Sequence, residues 1–264
     1  MSTTTTVESL WRYPVKSMRG EELNEAFVGF SGIYGDRLFA FRSSASPKGF
    51  PYLTAREQRR LLQYRPRYQH PDKAARPINL AEAESIAPGV TPVFADMPDL
   101  MVEIEAPTGE TLAIDDPALI RMLREGVSGA PDLMLVRSDR PMTDCRPVSL
   151  LSVQSARRLG EEIGTTVDRR RFRANIYLDF TGAGGFAEND FVGRSLRIGS
   201  KVVVSILERD PRCVMITLDP DTGESRPELL RQVAQVHSGM AGVYGAVLVE
   251  GMLRKGDAVQ LLDG

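Results

Sequence analysis

The chain has few of the residues from which a protein builds metal clusters and disulfides by itself. Its 264 residues include two Cys and two His. An iron–sulfur cluster held by four cysteines, a zinc site of Cys and His ligands and a disulfide framework all need more than this. All three are therefore excluded within this one chain, and demanding redox chemistry must use a single thiolate, an imported cofactor, or both.

An excess of charge of either sign is also missing. The sequence contains 33 Lys plus Arg against 35 Asp plus Glu, for a formal net charge of −2. This balance gives no overall attraction to nucleic acid, so we expect no nucleic-acid partner. The cations themselves are unevenly divided, with 28 Arg and 5 Lys. Arginine is the better of the two for bidentate binding of carboxylate or phosphate groups.

Long apolar runs are absent as well. Residues Met1–Thr6 are polar and lack the basic start and apolar stretch of a secretion signal. No window approaches the roughly 18 consecutive apolar residues that a membrane-spanning helix needs. We therefore expect a cytoplasmic protein with no membrane partner, in a reducing compartment where both cysteines stay unpaired.

Many short β-rich runs alternate with Gly, Pro, Ser and Asp turns. With only a few helical segments, this pattern predicts a mainly β (α+β) fold, a β-barrel with peripheral helices, in two units at 1–120 and 121–264. A capping box predicts a further short helix from Thr54. The other expected helices are Pro117–Glu125, Ser152–Ile163 and Pro227–His237. The expected strands are Val7–Trp11, Leu23–Phe30, Arg37–Phe41, Leu100–Ala106, Glu110–Ile114, Leu133–Val136, Val148–Leu151, Ala174–Phe180, a hairpin over Leu196–Leu207, Tyr244–Glu250 and Ala258–Leu262.

The two cysteines stand in different local contexts. Cys213 follows a buried-looking strand and lies beside Arg212 in the run Arg209-Asp-Pro-Arg-Cys-Val214. A thiolate in that setting could act as a nucleophile, carry a persulfide or ligate a soft metal, whereas a lone cysteine that only packs is the commoner case. Cys145 leads into the strand Val148–Leu151 with no second motif beside it, so we expect Cys145 to pack.

Two turns near the N-terminus carry candidate anion ligands. Lys16 and Ser17 follow the first strand, where a charge plus a hydroxyl donor can hold a phosphate; a solvated turn is the alternative. Arg37 opens another strand. It is either a structural partner of Asp36 or a further ligand for an anion.

An arginine-rich segment, Asp168-Arg-Arg-Arg-Phe-Arg-Ala-Asn175, leads into a strand. If that strand begins near Phe172, alternation places Arg171, Arg173 and Asn175 on one face. Two cations and an amide there can hold an anionic ligand rich in hydrogen-bonding groups. The alternative is a solvated edge that discourages aggregation.

Six motifs in order along nearly the whole chain make the sequence recognisable. They are Tyr13-Pro-Val-Lys-Ser17, Gly35-Asp-Arg37, Thr54-Ala-Arg56, Asp144-Cys-Arg-Pro-Val-Ser-Leu-Leu-Ser152, Arg171-Phe-Arg-Ala-Asn-Ile176, and Arg212-Cys213 with Asp219-Pro-Asp-Thr-Gly223. Together they resemble the MOSC-domain proteins that carry an N-terminal β-barrel domain, similar to the mitochondrial amidoxime-reducing component and its bacterial relatives. Each motif alone is weak, but their shared order and compatible spacing are specific.

The resemblance implies binding of the molybdenum cofactor, a pterin that carries a dithiolene and a phosphate. In the family the cysteine of the Arg-Cys motif ligates molybdenum, and Cys213 matches it as metal ligand and catalytic residue. One departure is Pro211, which stands where the mitochondrial members have a serine and which offers no amide hydrogen. The remaining matches imply cofactor-binding roles for Lys16, Ser17, Arg37, Arg173, Asn175, Arg212 and Tyr244.

The same resemblance implies an oxidoreductase that reduces N-hydroxylated small molecules, namely hydroxylamines, amidoximes and N-hydroxy bases, to amines. Two cysteines cannot build a cluster, so electrons are expected from a separate protein of the ferredoxin, flavodoxin or cytochrome b5 type. A sulfur carrier with a persulfide on Cys213 is the alternative, because MOSC modules also occur in molybdenum-cofactor sulfurases beside a pyridoxal-phosphate domain. A carrier of the intact molybdenum cofactor is the third.

Overall fold

The structure, a computed structural model, describes residues 5–85 and 97–262. Within them no helix is both long enough and apolar enough to span a membrane. The helices of these residues are α1 (Leu80–Ser85), α2 (Pro117–Glu125), α3 (Val153–Glu162) and α4 (Pro227–Val236). The strands are β1 (Thr5–Arg12), β2 (Glu21–Leu23), β3 (Glu25–Gly29), β4 (Gly32–Ile33), β5 (Phe39–Ser43), β6 (Arg65–Tyr68), β7 (Val102–Glu105), β8 (Thr111–Ala113), β9 (Leu133–Arg137), β10 (Val148–Ser152), β11 (Ile176–Phe180), β12 (Ser195–Ile198), β13 (Val202–Pro211), β14 (Met240–Val249), β15 (Gly251–Arg254) and β16 (Ala258–Leu262).

Two of the predicted helices are confirmed together with the residues that start them. Helix α2 begins after Asp116, whose carboxylate accepts a hydrogen bond from the amide of Ala118 at 2.7 Å. Helix α3 follows β10 directly, and the hydroxyl of Ser152 accepts from the amide of Ser155 at 3.0 Å. The first amides of a helix have no partner within it, which is why Asp and Ser stand at these positions.

Seven strands close into a barrel in the order β11–β10–β14–β13–β12–β16–β1, and β1 pairs back with β11. Strands β10 and β11 are parallel and are connected through α3, whereas the other neighbouring pairs are antiparallel. Alternate residues point into the barrel, so that Val202, Val204 and Ile206 of β13 are fully buried in its core. The predicted mainly β fold, with a barrel and peripheral helices, is confirmed.

Strand β1 makes the start of the chain part of this barrel. Strand β2 pairs with β1 at the edge of the same sheet, and the remaining strands form three small sheets, β15–β3–β4, β5–β9 and β6–β7–β8. Sheets β5–β9 and β6–β7–β8 pack around a second apolar core that includes Phe39, Leu61, Ile104 and Leu119. Sheet β15–β3–β4 instead packs against the barrel core, for example through Val28 and Ile33. Because β5 pairs with β9 and β3 pairs with β15, sheets are shared between early and late parts of the chain. The domain boundary at residue 120 stays a prediction.

The predicted helix from Thr54 is wrong in its position. The capping box itself is present, since the amide of Thr54 donates to a carboxylate oxygen of Glu57 at 2.9 Å. The chain nevertheless only turns there, and a 3₁₀ helix follows at Arg59–Gln63. The capping contact therefore stabilises a turn.

The predicted strand face of Arg171, Arg173 and Asn175 is also wrong. Arg169–Phe172 forms a 3₁₀ helix, because the carboxylate of Asp168 accepts a hydrogen bond from the amide of Arg170 at 2.8 Å. Arg173 then adopts a left-handed backbone with φ 52°, and β11 begins only at Ile176. The residues of this segment reach their positions through a tight turn instead of strand alternation.

Gly32, in the β3–β4 hairpin, packs against the segment that leads into β10. Its φ is +118°, and a Cβ added there would lie 2.4 Å from the carbonyl oxygen of Pro147. We predict that Gly32→Ala lowers the free energy of unfolding by on the order of 3 kcal/mol, measured by urea denaturation.

Gly109→Ala is the matched control for this variant. Gly109 also has a positive φ, +88°, but no atom lies within 4 Å of an added Cβ. Gly109→Ala should therefore lose only about 1 kcal/mol of unfolding free energy, from backbone strain. Equal losses in the two variants would contradict the close contact between the hairpin and Pro147.

Candidate functional site

A cleft opens at the end of the barrel where β1 and β13 end and β10 begins. Its empty volume is about 800 Å³, part of which is open to solvent. All eight residues to which the resemblance gives a cofactor-binding or metal-ligating role line this cleft, although their individual roles stay predictions. These lining residues are Lys16, Ser17, Arg37, Arg173, Asn175, Arg212, Cys213 and Tyr244.

The lining of the cleft is strongly cationic. Only two carboxylates, Asp144 and Asp210, face the cations among the described lining residues. Such an excess concentrates positive potential in a chain whose overall charge is close to zero, and it suits an anionic ligand. The cations are Lys16, Arg37, Arg56, Arg146, Arg171, Arg173 and Arg212.

The ring of Tyr13 holds two of these cations. The guanidinium carbon of Arg173 lies 4.2 Å from the ring centroid, and that of Arg37 lies 4.6 Å from it. Both distances fall in the range of cation–π contacts. The Tyr13 hydroxyl is buried and donates to the carbonyl of Ala174 at 3.1 Å. Burial raises the pKa of Tyr13, so a neutral ring keeps the two guanidinium groups in place.

A fully buried carboxylate, Asp36, fixes the chain around these cations. One of its oxygens accepts a hydrogen bond from the amide of Tyr13 at 2.8 Å. The other accepts from Nδ2 of Asn175 at 3.2 Å and from the guanidinium of Arg37. Burial disfavours the charge on Arg37, but Asp36 outweighs it and the pKa of Arg37 is raised. Arg37 was expected to be either a structural partner of Asp36 or a ligand for an anion. The structure shows the ion pair with Asp36, and the side chain of Arg37 also lines the cleft.

Asn175 directs its amide group to the protein itself. Besides its bond to Asp36, Nδ2 donates to the carbonyl of Trp11 at 3.3 Å. Oδ1 accepts from the amide of Ser149 at 3.3 Å and from its hydroxyl at 3.2 Å. Asn175 therefore joins the end of β1 to the start of β10, and it acts as a positioning residue of the cleft wall.

Arg173 differs because part of its guanidinium has no partner. Its Nη2 is buried, and no described residue accepts a hydrogen bond from it. Burial, reinforced by the nearby charge of Arg37, lowers the pKa of Arg173 to about 10, so the side chain is still positively charged at neutral pH. A buried charge without a full set of partners is costly, and an anion in the cleft would supply the missing acceptor.

Lys16 is another cation of the cleft whose position is fixed by the protein. Its Nζ donates to the carbonyl of Met142 at 2.9 Å and to the carboxylate of Asp144. Burial lowers the pKa of Lys16 against the opposing effect of Asp144. Burial works against ionisation of Asp144 too, but Lys16 outweighs it and lowers the pKa of that carboxyl. Ser17 follows in a left-handed conformation, φ 64°, and also lines the cleft.

Cys213 lies just beyond the end of β13, with its side chain exposed in the cleft. The residue before it is firmly held. Arg212 donates from its amide, Nε and Nη1 to the carbonyls of Gly239 at 2.8 Å, Ala241 at 2.6 Å and Phe172 at 2.9 Å. The thiol is thus open to a ligand while its backbone is anchored through Arg212.

Asp210 is a residue of the cleft that sequence reasoning misses. It is buried three residues before Cys213, and its Oδ2 lies 2.6 Å from Nη2 of Arg212 in an ion pair. Burial raises the pKa of Asp210 to about 6 although Arg212 opposes this. The available signal was an Asp-Pro pair beside the cysteine, which predicts a turn equally well.

Two neighbouring residues differ from expectation. The prediction that Cys145 packs is wrong: the chain becomes strand only at Val148, and Cys145 is exposed with its Sγ 3.5 Å from a carboxylate oxygen of Glu208. Arg171 does line the cleft, but its guanidinium donates to the carbonyl of Thr217 at 2.7 Å and to Asp219 at 2.8 Å. It therefore stabilises the chain that follows Cys213.

The chain is similar to several known proteins. The mitochondrial amidoxime reducing component 2 of Bos taurus is 34% identical over 129 residues, which cover 44% of this chain and 37% of that protein's length. The mitochondrial amidoxime-reducing component 1 of Mus musculus is 26% identical over 289 residues, covering 97% of this chain and 82% of that one. The crystal structure of the YuaD protein from Bacillus subtilis is 12% identical, covers 97% of this chain and 94% of its own, and has a TM-score of 0.47.

Two family models match consecutive parts of the chain. One describes the MOSC N-terminal beta barrel domain and matches residues 4–115. The other describes the MOSC domain and matches residues 137–260. The two matches leave out only a short connecting stretch and the ends, so the chain belongs to the MOSC-domain proteins that carry this N-terminal domain.

Proposed function

We propose that the cleft binds the molybdenum cofactor and that the protein is a molybdenum-dependent oxidoreductase that reduces N-hydroxylated compounds to amines. Membership of the MOSC-domain proteins and similarity to proteins named amidoxime-reducing components support this proposal. Hydroxylamines, amidoximes and N-hydroxy bases are the expected substrates. The cytoplasm is the expected compartment.

The observation that carries the proposal is the buried, unpartnered guanidinium nitrogen of Arg173 in the same cleft as the exposed thiol of Cys213. The cofactor is anionic through its phosphate and soft through its dithiolene-bound metal, so it needs cations and a thiolate in one cavity. The volume of about 800 Å³ falls within the range of about 300–1,000 Å³ typical of ligand sites. The residues present therefore fit the group.

The cations of the cleft would hold the anionic end of the cofactor. Arg173 has a free donor at Nη2, and Arg37 adds positive charge on the same Tyr13 ring. Lys16 and Ser17 add a further charge and a hydroxyl in the same cleft. Asn175 contributes indirectly, because its amide holds the strands that carry these groups.

Cys213 would ligate the metal, since a thiolate is a soft ligand and the anchored Arg212 fixes the backbone beside it. When bound, the cofactor supplies a metal centre that passes two electrons to the substrate. Reduction of a hydroxylamine to an amine consumes these electrons and two protons and releases water. The electrons would come from a separate redox protein of the ferredoxin, flavodoxin or cytochrome b5 type.

The exposure of Cys213 also favours a second candidate, a sulfur carrier. An accessible thiol can accept a sulfur atom as a persulfide from a partner protein. In that case mass spectrometry of the purified protein would show an adduct of about 32 Da, one sulfur atom, on Cys213. A carrier of the intact cofactor would instead contain molybdenum but would not reduce hydroxylamine.

We predict that Cys213→Ser abolishes hydroxylamine reduction while the protein stays folded, because the exposed side chain contributes little to the core. The assay supplies an electron donor protein and measures the amine formed per molybdenum. Cys145→Ser is the matched control, since Cys145 is the other exposed thiol and should be dispensable. Undiminished N-reduction in Cys213→Ser would overturn the assigned role of this residue.

We predict that Arg173→Ala weakens cofactor binding roughly ten- to hundredfold, since a hydrogen bond to a charged group contributes about 1.5–3 kcal/mol. The measurement is the pterin and molybdenum retained per protein after dialysis. Arg209→Ala is the control, because Arg209 is exposed on β13 and does not line the cleft. Equal retention in both variants would contradict an anion site at Arg173.

A further inference from the structure

We infer that Arg56 binds a carboxylate group of the substrate, so that the cleft prefers N-hydroxylated compounds that carry a carboxylate over their uncharged analogues. This inference rests on the proposed function and names a substrate class for it. It begins from the run Thr54-Ala-Arg56, a motif of the sequence that the proposed function leaves without a role. Thr54 and Arg56 both line the cleft.

Arg56 differs from the other cations of the cleft because it has no charged partner. Five of the seven cations form ion pairs with carboxylates of the protein, namely Lys16–Asp144, Arg37–Asp36, Arg146–Glu208, Arg171–Asp219 and Arg212–Asp210. A sixth, Arg173, has the buried free nitrogen that the proposed cofactor would use. Arg56 is the seventh, and it forms no ion pair with any residue that the structure describes.

The side chain of Arg56 is nevertheless held in place. Its Nε donates to the hydroxyl oxygen of Thr54 at 3.2 Å, and its guanidinium carbon lies 4.7 Å from the ring centroid of Phe50. Phe50 in turn packs edge-on against Tyr52, with the ring centroids 5.5 Å apart. Within residues 5–85 and 97–262, neither Nη1 nor Nη2 of Arg56 has a hydrogen-bond acceptor. The two terminal nitrogens of an oriented guanidinium are thus left for a ligand.

The turn that contains Thr54 sets the direction of Arg56. The amide of Thr54 donates to a carboxylate oxygen of Glu57 at 2.9 Å, and the amide of Arg56 donates to the Thr54 hydroxyl oxygen at 3.2 Å. That hydroxyl therefore fixes both the backbone and the Nε of Arg56. The capping contact starts no helix here, and orientation of Arg56 is what the turn provides instead.

Arg56 lies on the exposed side of the cleft, as does Cys213, whereas Lys16 and Asn175 are buried. Buried cations suit a cofactor that stays bound, while exposed groups suit a substrate that must enter and leave. A substrate whose N-hydroxy group reaches the proposed metal at Cys213 would keep the rest of its structure on this exposed side. Arg56 is placed to contact that part of the substrate.

The free guanidinium group selects a carboxylate. Its planar arrangement of N–H groups matches the two oxygens of a carboxylate with two parallel hydrogen bonds. Because the side chain is already oriented, little further ordering opposes this contact. The carboxylate of Asp144 is near enough for Arg56 to lower its pKa, but Asp144 is paired with Lys16. A carboxylate on the substrate would supply the partner that Arg56 lacks.

Two amidoximes that differ in one group test the inference, 4-carboxybenzamidoxime and the uncharged benzamidoxime. The full chain with its cofactor and an added electron donor should reduce the first with the higher kcat/KM. Arg56→Gln should lower kcat/KM for the carboxylated compound about three- to thirtyfold relative to the neutral one, mainly by raising KM, because a partly exposed charged contact is lost. Arg56→Lys, which keeps the charge but loses the planar fork, should retain part of the preference.

Arg60→Gln is the matched control, because Arg60 is an exposed arginine four residues further on that does not line the cleft. Its ratio of kcat/KM for the two compounds should equal that of the wild-type protein. Salt at about 1 M should reduce the wild-type preference, since the contact is partly exposed. The same ratio in Arg56→Gln and in the wild-type protein would overturn the inference.

A second readout needs no turnover. Calorimetry should show that Arg56→Gln weakens binding of 4-carboxybenzamidoxime by about the same three- to thirtyfold factor, and more than it weakens binding of benzamidoxime. The molybdenum retained after dialysis is measured on the same samples. If Arg56→Gln loses the cofactor as Arg173→Ala is expected to, Arg56 holds the cofactor and the inference fails.

These outcomes separate the two proposals. A wild-type protein that reduces neither amidoxime contradicts the proposed function, while calorimetry still reports whether Arg56 binds the carboxylate. A wild-type protein that reduces both compounds, with an Arg56→Gln variant of unchanged ratio and unchanged affinity, contradicts only the role of Arg56.

Discussion

The buried carboxylate of Asp36 is the interaction on which the cleft depends. It accepts hydrogen bonds from the amide of Tyr13, from Asn175 and from Arg37, and these groups come from three separate parts of the chain. A buried carboxylate is stable only when its oxygens are satisfied, so the three partners are held in fixed relative positions. The end of β1, the turn before β5 and the turn before β11 therefore meet at one point, and the cleft opens beside it.

Asp36 compensates the positive charge of one of the two arginines that stack on Tyr13 and does not compensate the charge of the other. Arg37 is paired with it, whereas Arg173 keeps a buried guanidinium nitrogen with no acceptor among the described residues. The same imbalance extends over the cleft, where cations outnumber carboxylates. An uncompensated buried cation is electrostatically unfavourable, so the proposed anionic ligand would stabilise this arrangement on binding.

Much of this could be predicted from local patterns. Short β-rich runs between turns, and helical spacing, depend on neighbouring residues, and they predicted most of the barrel strands and peripheral helices. The prediction that the eight lining residues belong to one site came from the resemblance to the MOSC-domain proteins. Two features depend on tertiary contacts and could not be predicted from neighbouring residues. They are the left-handed backbone at Arg173 and the burial that raises the pKa of Asp210. The exposure of Cys145 is a third such feature, because it depends on how the segment before β10 lies against Glu208 of β13.

The central claim is that Cys213 and the cations of one cleft hold a single metal-bearing anionic cofactor. X-ray absorption at the molybdenum edge of the purified protein tests it most directly, because it counts the sulfur atoms bound to the metal. We predict one more sulfur ligand in the wild-type protein than in molybdenum-loaded Cys213→Ser, and no such difference for Cys145→Ser. Identical sulfur counts in the wild-type protein and in Cys213→Ser would contradict it.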